Sequence, residues 1–314
     1  RPLRPVQQGH HHDPLHPERM RKAPCKNADQ SNLQEAPVNP EGVREIIHPA
    51  PSRKQGGKFK LHCELLDSIN RACQASISYG YQLPEQEVIP TGLPQLDAVI
   101  GGGVPRGRIV EIFGAEGSGK TALALHLAQQ LPGPALYVDA DGGLSPYILK
   151  GQDLYLLRLE TLEDTLDACT AAARTGAFGS IVIDSVCALP TNEEMRNTIN
   201  SKYWPEQGRR QAKVLSKALP ILAGVLHYTG CTLVLVNQLR NKAPCPYGRP
   251  DHPTGGRAIA YYSSLRLETH GYEAIKEADT ITGQKILVKV EKCKYAPPGK
   301  RATASLLYGE GVCA

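Results

Sequence analysis

The chain has 314 residues, 41% of them hydrophobic, with 36 Lys and Arg against 31 Asp and Glu. That length buries a full core and suits two domains, or one large α/β domain with a tail. No stretch approaches the ~18 consecutive apolar residues of a membrane span and no signal-peptide pattern opens the chain, so a soluble cytoplasmic protein is expected. Its nine cysteines are scattered without a CxxC pair and read as reduced, mostly buried thiols, excluding a disulfide framework or zinc site.

The net charge of +5 is unevenly placed: residues 1–60 hold 11 Lys and Arg, 6 Asp and Glu and 9 of the 25 prolines. Without sustained apolar periodicity, 1–60 reads as a disordered, Pro-rich basic tail, and His10–His12 as part of it. Across 61–90, Leu61, Leu65, Ile69 and Cys73 share one helical face, either a core helix or an arm packing on a neighbouring subunit. From 91 to 314, apolar runs alternate with helical stretches. Arg108–Phe113, Ala135–Asp139, Leu154–Leu159, Ser180–Asp184 and Thr232–Asn237 are expected strands. Thr121–Leu131, Leu162–Thr175 and Arg209–Tyr228 are expected helices, the last kinked at Pro220. Such alternation predicts an α/β fold with a mostly parallel sheet flanked by helices. Gln284–Cys293 and Thr303–Leu307 add antiparallel strands near the C-terminus.

Residues Gly114, Ala115, Glu116, Gly117, Ser118, Gly119, Lys120 and Thr121 form an unbroken GxxxxGK[ST] phosphate loop between a strand and a helix. Backbone N–H groups there can surround phosphate oxygens at a helix N-terminus, Lys120 can reach the β- and γ-phosphates, and the Thr121 hydroxyl can ligate Mg²⁺. The chain therefore reads as binding a nucleoside triphosphate. Asp184 ends a buried strand and pairs with the loop as a second Mg²⁺ group, acting through the ion's waters. Asp139 and Asp141 end another strand, and either can orient an attacking water. Asn237 and Gln238 end a third, where a side-chain amide can sense the γ-phosphate.

From Arg196 to Arg266 there are eleven Lys and Arg but only two acids, Glu206 and Asp251. Two loops are expected in this span, around 192–208 and 240–256, carrying Tyr203, Trp204 and Tyr247. Basic charge interleaved with aromatics is the footprint of a polyanion whose bases can stack.

With these residues in place, the chain from about 61 onward resembles the bacterial RecA recombinases. The resemblance rests on Thr91-Gly92, Leu96-Asp97, Gly107–Ile112 running into the phosphate loop, and Asp184–Leu189. It continues through Asn237–Arg240, Thr254–Gly256, Arg266-Leu267, Lys289–Lys294 and Leu307–Gly311. It implies a RecA-type P-loop ATPase core over 91–314, with 61–90 as a subunit-packing arm. The implied activity is ATP- and Mg²⁺-dependent filament formation on single-stranded DNA, pairing it with homologous duplex DNA in recombination, repair and the SOS response. A repressor undergoing self-cleavage is an implied further partner of the filament. DNA contacts would come from Arg209, Lys213 and Ser216 beside the first loop, and from Arg240, Lys242, Thr254, Gly255, Gly256 and Arg257 in the second. Lys292 and Lys294 match lysines that reach a neighbour's ATP, and Tyr308 and Gly309 match the segment beside the nucleotide base.

The family pattern is not followed everywhere. Asp141 stands where the family has its catalytic glutamate, Gly142 replaces the following histidine, and Ile148 falls where an aromatic stacks on adenine. Pro220 and Ala260 replace an arginine and an interface lysine, and the chain stops at Ala314, where a C-terminal domain is expected to follow. A divergent or truncated member is therefore expected. Rival readings are a RecA-like DNA-binding ATPase that has lost efficient strand exchange and serves as a scaffold or regulator, and a P-loop kinase or helicase relative.

Overall fold

The computed structural model describes residues 85–144, 153–196, 207–241, 251–277 and 279–314. The expected tail, nearly all of the 61–90 arm, Ile148, Tyr203, Trp204, Lys242 and Tyr247 lie outside them.

The fold is organised around β3 (Ile109–Gly114), an apolar strand buried at every position. A short hairpin, β1 (Val88–Ile89) and β2 (Val104–Pro105), precedes it, enclosing helix α1 (Pro94–Ile100). Pro94 at the first helical turn and Gly101 at φ 89° punctuate α1. Asp97 Oδ1 accepts from both the Thr91 N–H and hydroxyl at 2.8 Å, which explains the Thr91…Asp97 spacing.

After β3 come α2 (Lys120–Gln130), β4 (Ala135–Asp139), β5 (Leu154–Leu157), α3 (Leu162–Arg174) and β6 (Ser180–Asp184). They are followed by α4 (Asn192–Arg196), α5 (Gln207–Thr229), β7 (Thr232–Asn241), β8 (Asp251–Pro253) and α6 (Arg257–Tyr262). The chain continues with β9 (Leu265–Glu277), β10 (Thr280–Cys293), β11 (Arg301–Leu307) and β12 (Gly311–Cys313). One sheet runs in the order β12-β11-β10-β9-β3-β7-β6-β4-β5, with β8 pairing β7. Strands β9, β3, β7, β6, β4 and β5 are parallel neighbours, whereas β10, β11 and β12 add antiparallel.

Helices cover both faces, as a parallel sheet requires. Leu123, Ala124 and Leu127 of α2 pack with Ile112, Val182 and Ile286 on one face. Leu166 of α3 and Leu215, Leu219 and Leu226 of α5 pack with Ile181 and Leu233 on the other. Each fully buried leucine contributes about 2 kcal/mol.

Both expected faces and the antiparallel addition are present, but several elements differ from the sequence expectation. Strand β9 was not anticipated: its sequence LRLETHGYEAIKE has no continuous apolar run, and only its first five residues pair with β3. Strand β7 extends to Asn241, where Leu239, Arg240 and Asn241 pair with Pro253, His252 and Asp251. The 240–256 segment thus begins and ends as a hairpin. The 192–208 segment contains α4 and the first residues of α5. Helix α5 runs unbroken through Pro220, which lies on its exposed face with Ser216 four residues earlier, so water can take the carbonyl that proline leaves unbonded.

Glu111, 1% exposed in the middle of β3, is a buried carboxylate that must be paired to be tolerated there. Its two oxygens accept from Arg266 Nε and, at 2.9 Å, from Asn237 Nδ2, so β9, β3 and β7 are tied across one carboxylate. Arg266 also lies 4.9 Å from the Phe113 ring centroid. Glu111→Leu is expected to lower unfolding free energy by about 3–5 kcal/mol, since it strands a buried guanidinium. Urea unfolding will show this, and adding Arg266→Met should recover most of the loss.

Candidate functional site

The phosphate loop follows β3 directly. Gly114 approaches β9 so closely that a Cβ there would lie 2.4 Å from the Thr269 carbonyl oxygen, while Gly117 and Gly119 take φ of 69° and 84°. Side chains are excluded at the first position by space and disfavoured at the other two by conformation. The Ser118 hydroxyl donates to Ala115 O at 2.7 Å, and Lys120 Nζ donates to the same carbonyl at 2.6 Å. Burial lowers the Lys120 ammonium pKa, and the Asp184 carboxylate opposes that shift.

Thr121 Oγ1 donates to Asp184 Oδ2 at 2.6 Å, bringing together the two residues expected at the metal. The Tyr137 hydroxyl donates to the same oxygen at 2.7 Å. Burial raises the Asp184 pKa, against the pull of the two hydroxyl donors. Burial, reinforced by Asp184, raises the Tyr137 phenol so far that it remains a donor. Sequence reasoning passed over Tyr137. A signal existed: alternation along β4 and β6 puts Tyr137 on the same sheet face as Asp184, one diagonal step away in the parallel register.

Between the two aspartates left open after β4, the structure distinguishes sharply. Asp139 is buried and accepts from Arg158 Nε at 3.0 Å and Nη2 at 2.7 Å, an ion pair joining β4 to the segment after edge strand β5. Asp141 is exposed, and its Oδ1 accepts from the Gly143 N–H at 2.9 Å. Its field also raises the Asp184 pKa.

A cavity of about 540 Å³ opens beside the loop. Gly117–Ala122 and His126 line one side, and Gln284 with the Leu306–Val312 turn lines the other, which places Tyr308 and Gly309 at the cavity. Gln284 Nε2 donates to Gly117 O at 2.8 Å, linking β10 to the loop.

At the end of β7 the two amides have different surroundings. Asn237 is fully buried: besides Glu111, its Nδ2 donates to Thr254 O at 3.0 Å, and its Oδ1 accepts from the Thr254 hydroxyl. Gln238 is exposed and pairs in register with Gly114, at the entrance to the phosphate loop. Of the two amides, Gln238 is thus the one whose side chain is not committed to the buried network around Glu111.

Of the residues expected at DNA, Arg209, Lys213 and Ser216 are exposed on one face of α5. The Thr254–Arg257 turn abuts that helix: a Cβ on Gly255 would lie 2.9 Å from Leu215 Cδ1, and one on Gly256 2.7 Å from Ala212 Cβ. The structure thus joins the base of the second loop to the helix following the first, with Arg257 exposed nearby. Thr254 spends its hydroxyl on Asn237, and Gly255 is buried, so both shape this turn from within.

Lys292 and Lys294 lie toward the other end of the sheet. Lys292 pairs with Arg266 of β9, three residues before Thr269, which sits beside Gly114. That spacing is about 10 Å along the strands. Lys292 Nζ donates to Ala260 O at 2.8 Å and Tyr261 O at 3.0 Å, capping the C-terminus of α6. Burial lowers its pKa, and the nearby charges of Lys294 and Arg266 lower it further.

The comparisons with known proteins agree with this architecture. The family model described as the RecA N-terminal domain matches residues 73–313. Protein RecA of Caldanaerobacter subterraneus subsp. tengcongensis is 42% identical over 235 residues, covering 72% of this chain and 68% of that protein. Protein RecA of Clostridium perfringens is 38% identical over 238 residues, covering 73% and 66%. Protein RecA of Heliobacterium modesticaldum is 40% identical over 235 residues, covering 72% and 67%. The chain spans about two thirds of the length of these curated relatives. With a phosphate loop, a paired Thr121 and Asp184, and this extent of similarity, the chain belongs to the RecA family.

Proposed function

We propose that this chain is a DNA-dependent ATPase that assembles into helical filaments on single-stranded DNA and pairs it with homologous duplex DNA in recombination and repair, in the bacterial cytoplasm. The observation carrying the reading is the Thr121–Asp184 pair beside a cavity shared by the phosphate loop and the Tyr308 turn. In that cavity the triphosphate of ATP meets the backbone N–H groups at the start of α2, and the base lies against Tyr308 and Gly309.

A hydroxyl and a carboxylate 2.6 Å apart fit Mg²⁺, which takes one or two protein oxygens together with phosphates and waters. When bound, that ion neutralises charge building on the β- and γ-phosphate oxygens. Lys120 exchanges its bond to Ala115 for the γ-phosphate. Asp141 orients the attacking water and Gln238 reads the γ-phosphate, as their exposed positions at the strand ends allow. Lys292 and Lys294 lie too far along the strands to serve their own phosphate loop, which supports a role on a neighbour's nucleotide. The exposed Arg209, Lys213 and Arg257 give the polyanion a joined basic surface.

Electron microscopy on single-stranded DNA with a slowly hydrolysed ATP analogue, beside a strand-exchange assay, tests this reading. Helical filaments and homologous pairing are expected from the wild-type chain, with hydrolysis abolished in Lys120→Ala. DNA binding with neither filaments nor stimulated ATP hydrolysis would overturn it.

Replacing Lys292 and Lys294 together with alanine should leave a folded protein whose DNA-stimulated ATPase is nearly lost. Mixed filaments containing wild-type subunits should recover part of it, because each lysine pair acts on the adjacent subunit. Surface charges without that role are worth under ~1 kcal/mol, and normal turnover in the double variant would show that they are no more than this.

Asp141 places its carboxylate roughly one C–C bond, about 1.5 Å, short of a glutamate. Positional errors of about 1 Å cost ~10²-fold in rate. Asp141→Glu is therefore expected to raise DNA-dependent kcat with little change in ATP affinity, and Asp141→Asn to nearly eliminate turnover. Steady-state ATPase assays on saturating single-stranded DNA decide it; a slower glutamate variant would mean the loop is adapted to aspartate.

A further inference from the structure

Tyr137 lies in the middle of β4, is 1% exposed, and donates its hydroxyl to Asp184 Oδ2 at 2.7 Å. Thr121 donates to the same oxygen at 2.6 Å. With two donors on Oδ2, the other oxygen of Asp184 has no side-chain donor among the described residues. Rotation of a carboxylate about its last bond is soft and two-fold, so a single donor leaves its two oxygens free to exchange. A second donor from a rigid, buried ring removes that freedom. The ring itself is fixed by the core on the α2 face of the sheet, among Ala135, Leu123 and Val182.

We propose that Tyr137 is a positioning residue for the metal side of this site: its hydroxyl locks the Asp184 carboxylate so that one oxygen holds the Thr121 hydroxyl while the other faces the waters of Mg²⁺. The inference rests on the ATP reading above. A Thr121 oxygen holding the metal would need its hydrogen directed away from the ion, and Asp184 Oδ2 accepts that hydrogen. Tyr137 anchors that acceptor from inside the sheet, where neither solvent nor substrate reaches. Outer groups of this kind orient the inner ones, and their loss typically weakens metal affinity by about 10- to 100-fold. Here Asp184 acts through water, so a smaller effect is expected. The competing explanation is that Asp184 merely satisfies a buried phenol, which would otherwise lack a partner.

Tyr137→Phe separates the two, because it keeps the ring and removes only the hydroxyl. The measurement is a Mg²⁺ titration of fluorescent ADP binding to the full chain, with Tm recorded in chelator. The expected result is a Mg²⁺ midpoint raised about fivefold to tenfold, with metal-free ADP binding unchanged and a Tm close to that of the wild type. An unchanged Mg²⁺ midpoint overturns the proposal, whether or not Tm falls. If the wild-type chain itself shows no Mg²⁺-dependent ADP binding, the ATP reading falls first and takes this inference with it.

Discussion

Burying a carboxylate at the centre of a parallel sheet is unfavourable by several kcal/mol unless every lone pair is matched, and Glu111 imposes that requirement on its surroundings. Arg266 supplies the charge from β9 and Asn237 the neutral donor from β7. Asn237, held in this way, directs its remaining bonds to Thr254, which fixes the turn that Gly255 and Gly256 press against α5. One buried charge in the strand feeding the phosphate loop thus sets the base of the basic turn. The bonds from Arg266 through Glu111 and Asn237 to Thr254 connect the strand that leads into the phosphate loop with the turn packed on α5.

The same logic operates at Asp184, with a different outcome. Its desolvation, which raises its pKa, is opposed by two hydroxyl donors and not by a guanidinium. Asp139 shows what a full ion pair would have done there. Bound by Arg158 at one oxygen, it ties β4 to the segment after the sheet's edge strand. Asp139 and Asp141 are nearly adjacent in sequence, but one ends a buried strand and the other begins an exposed turn.

Elements with a strong local signal were legible in the sequence. Ala135–Asp139 and Ser180–Asp184 match the observed strands residue for residue, because short apolar runs between polar turns have few alternatives. Helix α3 was equally plain, with Thr161 capping its first turn. Strand β9 was obscured because its outer half is largely exposed and mixes polar with apolar residues without a continuous apolar run. Among site residues, the phosphate loop was readable because its eight positions are contiguous. Tyr137 and the Glu111–Asn237–Arg266 network were not, since their partners lie 47 to 155 residues apart along the chain.

By itself, the sequence determined the strands β3 to β7, β10 and β11, the helices α2, α3 and α5, the phosphate loop, the Asp184 strand end and the basic character of residues 196–266, all properties of contiguous segments and local spacing. Tertiary structure decided which of two aspartates is buried in an ion pair and which is exposed, which of two amides is buried, and that Lys292 lies about 10 Å along the strands from the phosphate loop. Those outcomes depend on strand order and register. A parallel sheet brings residues far apart in sequence to one edge, and only their arrangement in space settles which polar groups are paired with one another and which remain available to a ligand.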